Sequence, residues 1–260
     1  MRRAAEGDRL GPAQRRAADR GLKGLIPIQG RPFLDHVLSA LADGGIREAC
    51  LVVAPSSPIR MRYESVETRR LVIAFAEQPD PVGTADAVLR AETFAGDEPF
   101  LVVNADNLYP PAAVAALRAL DGPGLAGFRR STLVEGGIPP GRVAAYAVLA
   151  RDDDGCLERI VEKPDPETVA AFGADDSGRE HDPWVSMTCW RFDRSIFDAC
   201  RRVEPSARGE RELTDAVADA VEVDGRRFRV VPVDEPVLDL SRRADIAAVS
   251  ERLGGRAVRI

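Results

Sequence analysis

The segment "FLVVNAD" (residues 100–106) runs four apolar residues directly into a polar turn that ends in Asp106. A short, continuous apolar run bounded by turn residues is typical of a strand buried on both faces, as in parallel sheets. Two similar runs precede it in the chain, "CLVVAP" (50–55) and "LVIAFA" (71–76). The segment therefore predicts a buried strand whose carboxyl end carries an acidic side chain.

Helix-like segments alternate with these strands. Residues 32–44 begin with a proline and end in glycine, residues 84–94 begin at a Thr84 cap, and residues 110–121 begin with two prolines. This β–α–β rhythm predicts an α/β fold of Rossmann-like type, with a mixed, mostly parallel sheet flanked by helices.

The second half of the chain is less regular, and its strands suit a mixed sheet. The candidate strands are residues 143–151, 156–164, 185–193 and 227–233, and the candidate helices are residues 208–221 and 243–253. No internal repeat, linker or low-complexity segment interrupts the chain. We therefore predict one domain, residues 1–260, with two lobes of about residues 1–125 and 126–260.

Composition limits the possible functions. The chain is 45% apolar and 30% charged, with a formal net charge of −6, which suits a globular protein and argues against a general nucleic-acid binder. No apolar run approaches the roughly 18 residues that a membrane span needs. The first residues, "MRRAAE", lack the apolar core of a secretion signal, so a cytoplasmic protein without membrane contact is expected.

The four cysteines show no CxxC spacing, and the chain has only two histidines. This pattern argues against a zinc site and predicts reduced, mostly packed cysteines. It also argues against catalysis by histidine.

Ligands of open parallel sheets bind outside the carboxyl ends of the strands. Asp106 lies at such an end, and Asp239 follows the apolar run of "PVLDL" (236–240). Two aspartates from separate strands suit Mg²⁺, which takes one or two carboxylates together with phosphate oxygens. Taken singly, Asp106 is better explained as a turn residue and Asp239 as a helix cap.

Two loops contain glycines at positions where a nucleotide could approach the backbone. "AAEGDRLGP" (4–12) places Arg9 between two glycines, and "EQPDPVGTADAV" (77–88) joins Gln78 to Gly83 at a helix start. Backbone N–H groups of such turns bind phosphate, and a glutamine amide pairs with a nucleobase edge. Each loop alone is also explained as an ordinary turn.

Lysine is nearly absent: the chain has 34 arginines but only two lysines, Lys23 in "GLKGLIPI" and Lys163 in "IVEKPDP". A site that needs a compact ammonium on a flexible stem does not accept a planar guanidinium. The two remaining lysines are therefore candidates for functional residues, with chance as the alternative.

In their order and spacing, the motifs resemble the sugar-1-phosphate nucleotidylyltransferases, over residues 4–250. The matching segments, from the N-terminus onward, are "EGDRLGP", "LKGLIPI", "GRPFLDHVL", "QPDPVGTADAV", "VVNADNLYP", "IVEKP" and "VLDLSRRADI". The resemblance implies the nucleotide-diphospho-sugar transferase fold, with a nucleotide lobe followed by a sugar-phosphate lobe. It also implies NTP and sugar-1-phosphate (or cyclitol phosphate) substrates, Mg²⁺ as cofactor, no nucleic-acid or membrane partner, and possible homo-oligomers.

The resemblance also implies roles for individual residues. The implied roles are catalysis for Arg9, Lys23 and Asp106, nucleotide binding for Ala5, Gly7, Arg9, Gln78, Gly83 and Thr84, sugar-phosphate binding for Glu162 and Lys163, and metal binding for Asp106 and Asp239. The Gln78 amide slightly favours uracil or thymine, because it both donates to a carbonyl and accepts from a ring N–H.

The N-terminal loop departs from the family pattern. Glu6 and Asp8 stand where the family has Gly and Thr, and Arg2 and Arg3 fall where it has a hydrophobic strand. Negative charge beside a triphosphate is unfavourable. A catalytically weak homologue that binds an NDP-sugar or regulates another protein is therefore the alternative to an active enzyme.

Overall fold

The computed structural model describes residues 10–173, 181–207 and 209–260. Helices and strands alternate along this part of the chain. The helices are α1 (Pro12–Asp19), α2 (Phe33–Asp43), α3 (Pro58–Ser65), α4 (Thr84–Arg90), α5 (Glu92–Ala95), α6 (Pro111–Arg118), α7 (Arg130–Glu135), α8 (Pro140–Val143), α9 (Pro166–Phe172), α10 (Ile196–Arg202), α11 (Leu213–Glu222) and α12 (Asp245–Arg252). The strands are β1 (Pro27–Ile28), β2 (Arg31–Pro32), β3 (Glu48–Val53), β4 (Val72–Glu77), β5 (Phe100–Val103), β6 (Asn107–Leu108), β7 (Gly124–Arg129), β8 (Ala147–Arg151), β9 (Leu157–Val161), β10 (Trp184–Phe192), β11 (Arg229–Val233) and β12 (Leu238–Asp239).

The main sheet is built around β10, the longest strand. Its strand order is β11–β7–β10–β8–β9, and β5 also pairs with β10. β10 runs antiparallel to β5, β7 and β8, whereas β11 is parallel to β7. β10 pairs with β8 through Trp184–Ser186 and with β5 through Cys189–Phe192, and its register against β7 shifts between Ser186 and Trp190. The predicted mixed sheet flanked by helices is confirmed. The prediction that it is mostly parallel is wrong, because among the described strands only the pairs β7–β11 and β3–β4 are parallel, and β10 runs antiparallel to each strand that it pairs with.

A second, two-stranded sheet holds β3 and β4 in parallel register, from Glu48↔Val72 to Val53↔Glu77. Among the described residues, no strand joins β3 to β5. A cavity of about 820 Å³ lies between these two strands instead.

Helix α2 packs between the two sheets, and every residue from Phe33 to Ala42 is buried. Its apolar side chains belong to one hydrophobic cluster with side chains of β3 and β5. A second cluster holds α4, α10 and α11 against the other face of β5, around stacked rings such as Trp190 and Phe192. Complete burial of one such aliphatic or aromatic side chain contributes about 1.5–3 kcal/mol to stability.

The predicted elements are largely confirmed, since each predicted strand and helix overlaps an observed one. The predicted helix 84–94 is divided at Ala91 into α4 and α5. Thr84 does not cap α4; Gly83 occupies the cap position, and the Thr84 hydroxyl accepts a hydrogen bond from Leu213 N–H.

Strand β7 was not predicted, although five of its six residues are buried. Gly124 and Gly127 interrupt the apolar pattern of "GLAGFR". A Cβ on Gly127 would lie 2.7 Å from Val230 Cγ1, and one on Gly124 would lie 2.5 Å from the Arg229 carbonyl oxygen. Close packing against β11 therefore excludes the larger side chains by which a buried strand is recognised.

The cysteines are unpaired thiols, and three of the four are buried, as predicted. Within the described ranges, no helix is both long enough and apolar enough to cross a membrane.

Candidate active site

Lys23 and Asp106 meet in the fold although 82 residues separate them in the chain. Lys23 opens the short 3-10 turn Lys23–Leu25 after α1, and Asp106 lies in the turn after β5. The Lys23 Nζ is 2.5 Å from Asp106 Oδ2, and the side chains are 35% and 23% exposed. Because both groups still reach solvent, a phosphate oxygen could contact this ammonium from the open side.

Backbone hydrogen bonds place Asp239 next to the segment that contains Asp106. β12 pairs antiparallel with β6, which places Asp239 opposite Asn107, and Leu240 N–H donates to the Asp106 carbonyl oxygen over 2.9 Å. The two aspartates predicted to bind metal are therefore carried by directly paired strand ends.

The Asp239 carboxylate is buried and held by three groups. Ser241 Oγ donates to Oδ1 over 2.5 Å, Tyr146 Oη donates to Oδ2 over 2.7 Å, and Arg142 Nε lies 3.4 Å from Oδ2. The Arg142 side chain is 9% exposed, and it pairs with Asp245 at 2.8 Å. These contacts fix the orientation of the carboxylate.

The protonation states of these partners follow from their surroundings. Burial, together with the neighbouring Asp239, raises the pKa of Tyr146, so its hydroxyl remains a donor at neutral pH. Burial by itself lowers the pKa of Arg142. The hydrogen bond to Asp245 and the negative charge of Asp239 raise this pKa by more, so it lies above its ordinary value. The contacts of Arg142 and Tyr146 with Asp239 were not predicted from the sequence, because these residues lie more than 90 positions from Asp239 in the chain.

The donor chemistry at Asp106 and Asp239 suits Mg²⁺. The described residues contain no group of three or more His, Cys, Asp or Glu side chains that could hold a metal. A cation here would therefore take its remaining ligands from water and substrate phosphates, which is usual for Mg²⁺. An ionised carboxylate has about four lone-pair sites, so the Asp239 oxygens can accept a metal while retaining their hydrogen bonds.

The loop after β4 contains the predicted base-binding residues and is held by internal contacts. The Gln78 amide donates to the Gly83 carbonyl oxygen over 2.9 Å and to Asp86 Oδ2 over 3.0 Å. Burial alone would raise the pKa of Asp86, but hydrogen bonds from Arg90 and Gln78 hold it below its ordinary value. Gln78 therefore braces this loop, and its contact with a base stays a prediction.

Gly83 is required by the packing of another backbone segment. Its φ of 124° lies where glycine is favoured. A Cβ at this position would lie 2.3 Å from the Arg211 carbonyl oxygen and 2.4 Å from the Arg211 nitrogen. The glycine thus lets residues 211–213 lie directly against residues 82–85.

Three hydrogen bonds join these two segments, which we call the clamp (residues 82–85 and 211–213). Arg211 N–H donates to the Val82 carbonyl oxygen, Ala85 N–H donates to the Arg211 carbonyl oxygen, and Leu213 N–H donates to Thr84 Oγ1, over 2.7, 2.9 and 2.8 Å. The clamp connects the predicted nucleotide loop to the start of α11.

The predicted sugar-phosphate residues lie at the end of β9, close to α11. Thr214, the residue after the clamp, donates its hydroxyl to Glu162 Oε2 over 3.1 Å. Lys163 is exposed and has a φ of 46°, in the left-handed region, immediately before Pro164. A left-handed lysine before proline is unfavourable for the backbone, and strain of this kind occurs most often at functional sites.

The structure thus brings Lys23, Asp106 and Asp239 together, and it links Gln78, Gly83 and Thr84 to Glu162 through the clamp and Thr214. Ala5, Gly7 and Arg9 lie outside the described residues. So do Glu6 and Asp8, and Arg2 and Arg3 of the predicted first strand.

Comparison with known proteins gives one family over most of the chain. The family model described as "Nucleotidyl transferase" matches residues 6–235. The UTP–glucose-1-phosphate uridylyltransferase AglF of Haloferax volcanii is 27% identical over 234 residues, which cover 89% of this chain and 87% of that protein. The glucose-1-phosphate thymidylyltransferase of Streptomyces antibioticus is 28% identical over 246 residues, covering 94% of this chain.

The chain spans a smaller part of some relatives. It covers 62% of the Streptomyces protein and 52% of the low-salt glycan biosynthesis nucleotidyltransferase Agl11 of Haloferax volcanii. Among solved structures, a UDP-glucose pyrophosphorylase complexed with UDP-glucose superimposes with a TM-score of 0.72 at 16% identity. That match covers 90% of this chain and 91% of the other, and at this identity it shows a common fold.

Proposed function

Since the chain belongs to the nucleotidyl transferase family, we propose that it transfers a nucleotidyl group from an NTP to a sugar-1-phosphate, giving an NDP-sugar and pyrophosphate. The observation that carries the proposal is the Lys23–Asp106 pair, which lies beside Asp239 at the paired ends of β6 and β12. The Lys23 ammonium, and a Mg²⁺ ion that the two carboxylates could hold, would supply the positive charge that a reaction between two phosphates requires.

In the proposed reaction, an oxygen of the sugar phosphate attacks the α-phosphorus of the NTP. A new P–O bond forms while the bond from the α-phosphorus to the pyrophosphate oxygen breaks, and pyrophosphate leaves with that electron pair. Two anions must approach each other, so the protein acts mainly by positioning them and by neutralising charge. No covalent intermediate with a side chain is needed, which agrees with the scarcity of histidine.

Each site residue has a role in this proposal. The Lys23 ammonium would contact phosphate oxygens where charge develops, and Asp106 would hold that ammonium in place. Lys163 would bind the phosphate of the sugar substrate, and Glu162, oriented by Thr214, would accept hydrogen bonds from the sugar hydroxyls. Mg²⁺, held by Asp106 and Asp239, would supply further charge neutralisation on the phosphates.

The nucleotide roles are predictions of the same kind. Arg9 with residues Ala5 and Gly7 would hold the triphosphate, and Gln78 would contact the base, with Gly83 and Thr84 shaping the loop. Two similar proteins are named for transferring uridylyl and thymidylyl groups to glucose-1-phosphate. UTP and dTTP with glucose-1-phosphate are therefore the first pairs to test.

The test is a substrate panel. Purified protein is mixed with Mg²⁺, each NTP or dTTP in turn, and each of several sugar-1-phosphates and cyclitol phosphates, and pyrophosphate release is measured. We expect turnover with at least one pair, dependent on both substrates. Binding of an NDP-sugar by calorimetry without turnover for any pair would instead support the weakly catalytic homologue.

A further inference from the structure

A single phenol oxygen connects the turn after β5 to the central strand β10. Asn104 N–H donates to Tyr109 Oη over 3.3 Å, and Asn107 Nδ2 donates to it over 3.2 Å. The Tyr109 hydroxyl shares its own proton between the carbonyl oxygens of Met187, at 2.6 Å, and Thr188, at 3.0 Å. We call Tyr109 Oη and these four partners the Tyr109 hub.

The Tyr109 hub is buried, and its hydrogen-bonding capacity is used. Tyr109 is 1% exposed, and burial raises the pKa of Tyr109, so the hydroxyl keeps its proton at neutral pH. A phenol has one proton to donate and lone pairs that accept, and the hub uses both. The hydroxyl therefore acts on the protein around it and does not contact a substrate.

On one side, the hub holds both ends of the turn that carries Asp106. Asn104 begins this turn and Asn107 ends it, and Asn107 N–H donates to the Asn104 carbonyl oxygen over 3.2 Å. Asp106 directly precedes Asn107, and its carboxylate contacts the Lys23 ammonium. Because only two residues separate the two held positions, the hub limits where the Asp106 backbone lies and where its carboxylate meets Lys23.

On the other side, the hub holds a strained part of β10. Thr188 has a φ of 57°, in the left-handed region, where a β-branched residue is a clear outlier. Among the described strands, the registers of β10 against β5, β7 and β8 include neither Met187 nor Thr188, and we call these two residues the bulge. Strain of this kind persists only where the surrounding structure holds it, and the Tyr109 proton between the two carbonyls is such a restraint.

We propose that Tyr109 is a positioning residue: its hydroxyl holds the bulge against the turn after β5 and thereby sets Asp106, with the Lys23 ammonium, in the geometry that catalysis needs. The effect of Tyr109 on turnover rests on the proposed function. Its effect on the Lys23–Asp106 pair follows from the contacts alone and is measured separately.

The scarcity of lysine allows a direct measurement on the Lys23–Asp106 pair. Because the chain has only two lysines, lysine labelled with carbon-13 gives side-chain signals from Lys23 and Lys163 alone, and Lys23→Arg assigns them. In the native protein, the order parameter of the Lys23 ε-methylene group should exceed that of the exposed Lys163. In Tyr109→Phe, the Lys23 value should fall by about half of this difference or more, because Asp106 is no longer held.

Steady-state kinetics tests the catalytic consequence. Tyr109→Phe should lower kcat by about tenfold or more, because a displaced charge at the reacting centre matches the transition state less well. The KM values for the NTP and the sugar phosphate should change by less than about threefold, because the hydroxyl contacts neither substrate.

Tyr63→Phe is the matched control for both measurements. It removes the hydroxyl that donates to the buried Asp35 over 2.6 Å. Like Tyr109→Phe, it should lower the Tm by about 5 °C, because a buried acceptor loses its donor. It should leave kcat and the Lys23 order parameter unchanged.

A second substitution tests the role of strain in the bulge. Glycine adopts a φ of 57° at little cost, so in Tyr109→Phe/Thr188→Gly the bulge should keep its shape without the hydroxyl. This double variant should have a kcat about threefold or more above that of Tyr109→Phe, and should recover part of the Lys23 order parameter.

Three results would overturn the proposal: an unchanged Lys23 signal in folded Tyr109→Phe, equal losses of kcat in the two tyrosine variants, or no recovery in the double variant. If Tyr109→Phe does not fold, Asn107→Ala removes the amide donor from the hub and keeps the phenol, and an unchanged Lys23 signal in that variant has the same meaning. The Lys23 measurement needs no substrate, so failure of this proposal is distinguishable from failure of the proposed reaction.

Discussion

The Asp106 carboxylate faces two kinds of cation, the Lys23 ammonium that it contacts and the Mg²⁺ that we propose. Asp106→Asn keeps the shape of the side chain and removes its charge. We expect kcat to fall by about 100-fold or more, because one preorganised charge at a reacting centre contributes this much. Stability should change little, since a partly exposed ion pair contributes about 1 kcal/mol or less.

The measurements are pyrophosphate release and thermal unfolding. Asp121→Asn, at an exposed turn after α6, makes the same chemical change elsewhere and serves as the control. Equal kcat values for the two variants would remove Asp106 from the catalytic residues.

Lys163 is the second residue whose chemistry can be tested by a small change. Lys163→Arg keeps the charge but replaces the compact ammonium with a planar guanidinium. We expect the KM for the sugar phosphate to rise by about tenfold with the KM for the NTP unchanged, because the contact is with one substrate only.

Steady-state kinetics with each substrate varied in turn measures this effect. Arg256→Lys, the reverse exchange at an exposed position, should change neither KM. A rise in both KM values for the Lys163 variant would indicate a general distortion of the site.

Tyr146 acts through another residue, because its hydroxyl contacts Asp239. Tyr146→Phe removes this donor and leaves the carboxylate held, among the described residues, by Ser241 and Arg142 alone. We expect about a tenfold rise in the Mg²⁺ concentration that gives half-maximal activity, as for other groups that orient metal ligands. Tyr63→Phe is a matched control, since Tyr63 Oη donates to the buried Asp35 at 2.6 Å.

Both tyrosine variants should lose about 1–2 kcal/mol of unfolding free energy, because each leaves a buried carboxylate with one fewer hydrogen bond. Only the Tyr146 variant should change the Mg²⁺ requirement. If both variants change the Mg²⁺ requirement equally, the contact between Tyr146 and Asp239 has only a structural role.

At the scale of elements, the sequence predicted those with a clear pattern of apolar residues. The apolar strands β3, β4 and β5 and the amphipathic helix α2 overlap their predicted positions. β7 was missed because close packing against β11 selects glycine, which has no side chain to reveal a strand.

Some residues of the candidate site could be named from the sequence, and their roles stay predictions. Lys23 and Asp106 stood out through composition and through position at a strand end. Arg142 could not be predicted, because its partners Asp239 and Asp245 are 97 and 103 residues away in the chain. Long-range pairing of this kind leaves no local pattern.

The clamp gives a prediction for one glycine. Gly83→Ala should lower the free energy of unfolding by about 3 kcal/mol or more, because the new Cβ would meet the Arg211 backbone and φ is unfavourable for alanine. Gly30→Ala is the control: Gly30 also has a positive φ, of 78°, but a Cβ there has nothing within 4 Å. It should cost about 1 kcal/mol.

Urea denaturation of the two variants measures the difference, which should appear as a lower midpoint at an unchanged m-value. Similar losses for both variants would show that backbone strain alone, without the contact to Arg211, explains the need for glycine at residue 83.

At the scale of the whole molecule, global stability should depend on pH through His36. Its ring is buried, Nε2 lies 3.0 Å from the Ile28 carbonyl oxygen, and Nδ1 has no hydrogen-bond partner. Burial lowers the pKa of His36 below 6.5. As the pH falls below 6.5, His36 is protonated in the unfolded chain before it is protonated in the folded chain. The free energy of unfolding therefore has its full value above this pH and decreases below it.

The slope should approach about 1.4 kcal/mol per pH unit between pH 6.5 and the lowered pKa. Because the chain has only two histidines, two variants separate their effects. His36→Gln should lose the dependence between pH 7 and 5, and His181→Gln, at an exposed position, should retain it. Urea midpoints across this range give the result, and an unchanged dependence in the His36 variant would assign it to other groups.

The clamp also determines how this chain could be recombined with its relatives. A chimera with one crossover between residues 85 and 211 would take residues 82–85 from one parent and residues 211–213 from the other. The backbone around Gly83 would then have to pack against a segment from a different protein. Crossovers before residue 82 or after residue 213 would exchange both halves together. The clamp thus marks residues 82–213 as a unit of exchange for anyone who wishes to alter substrate preference by shuffling segments.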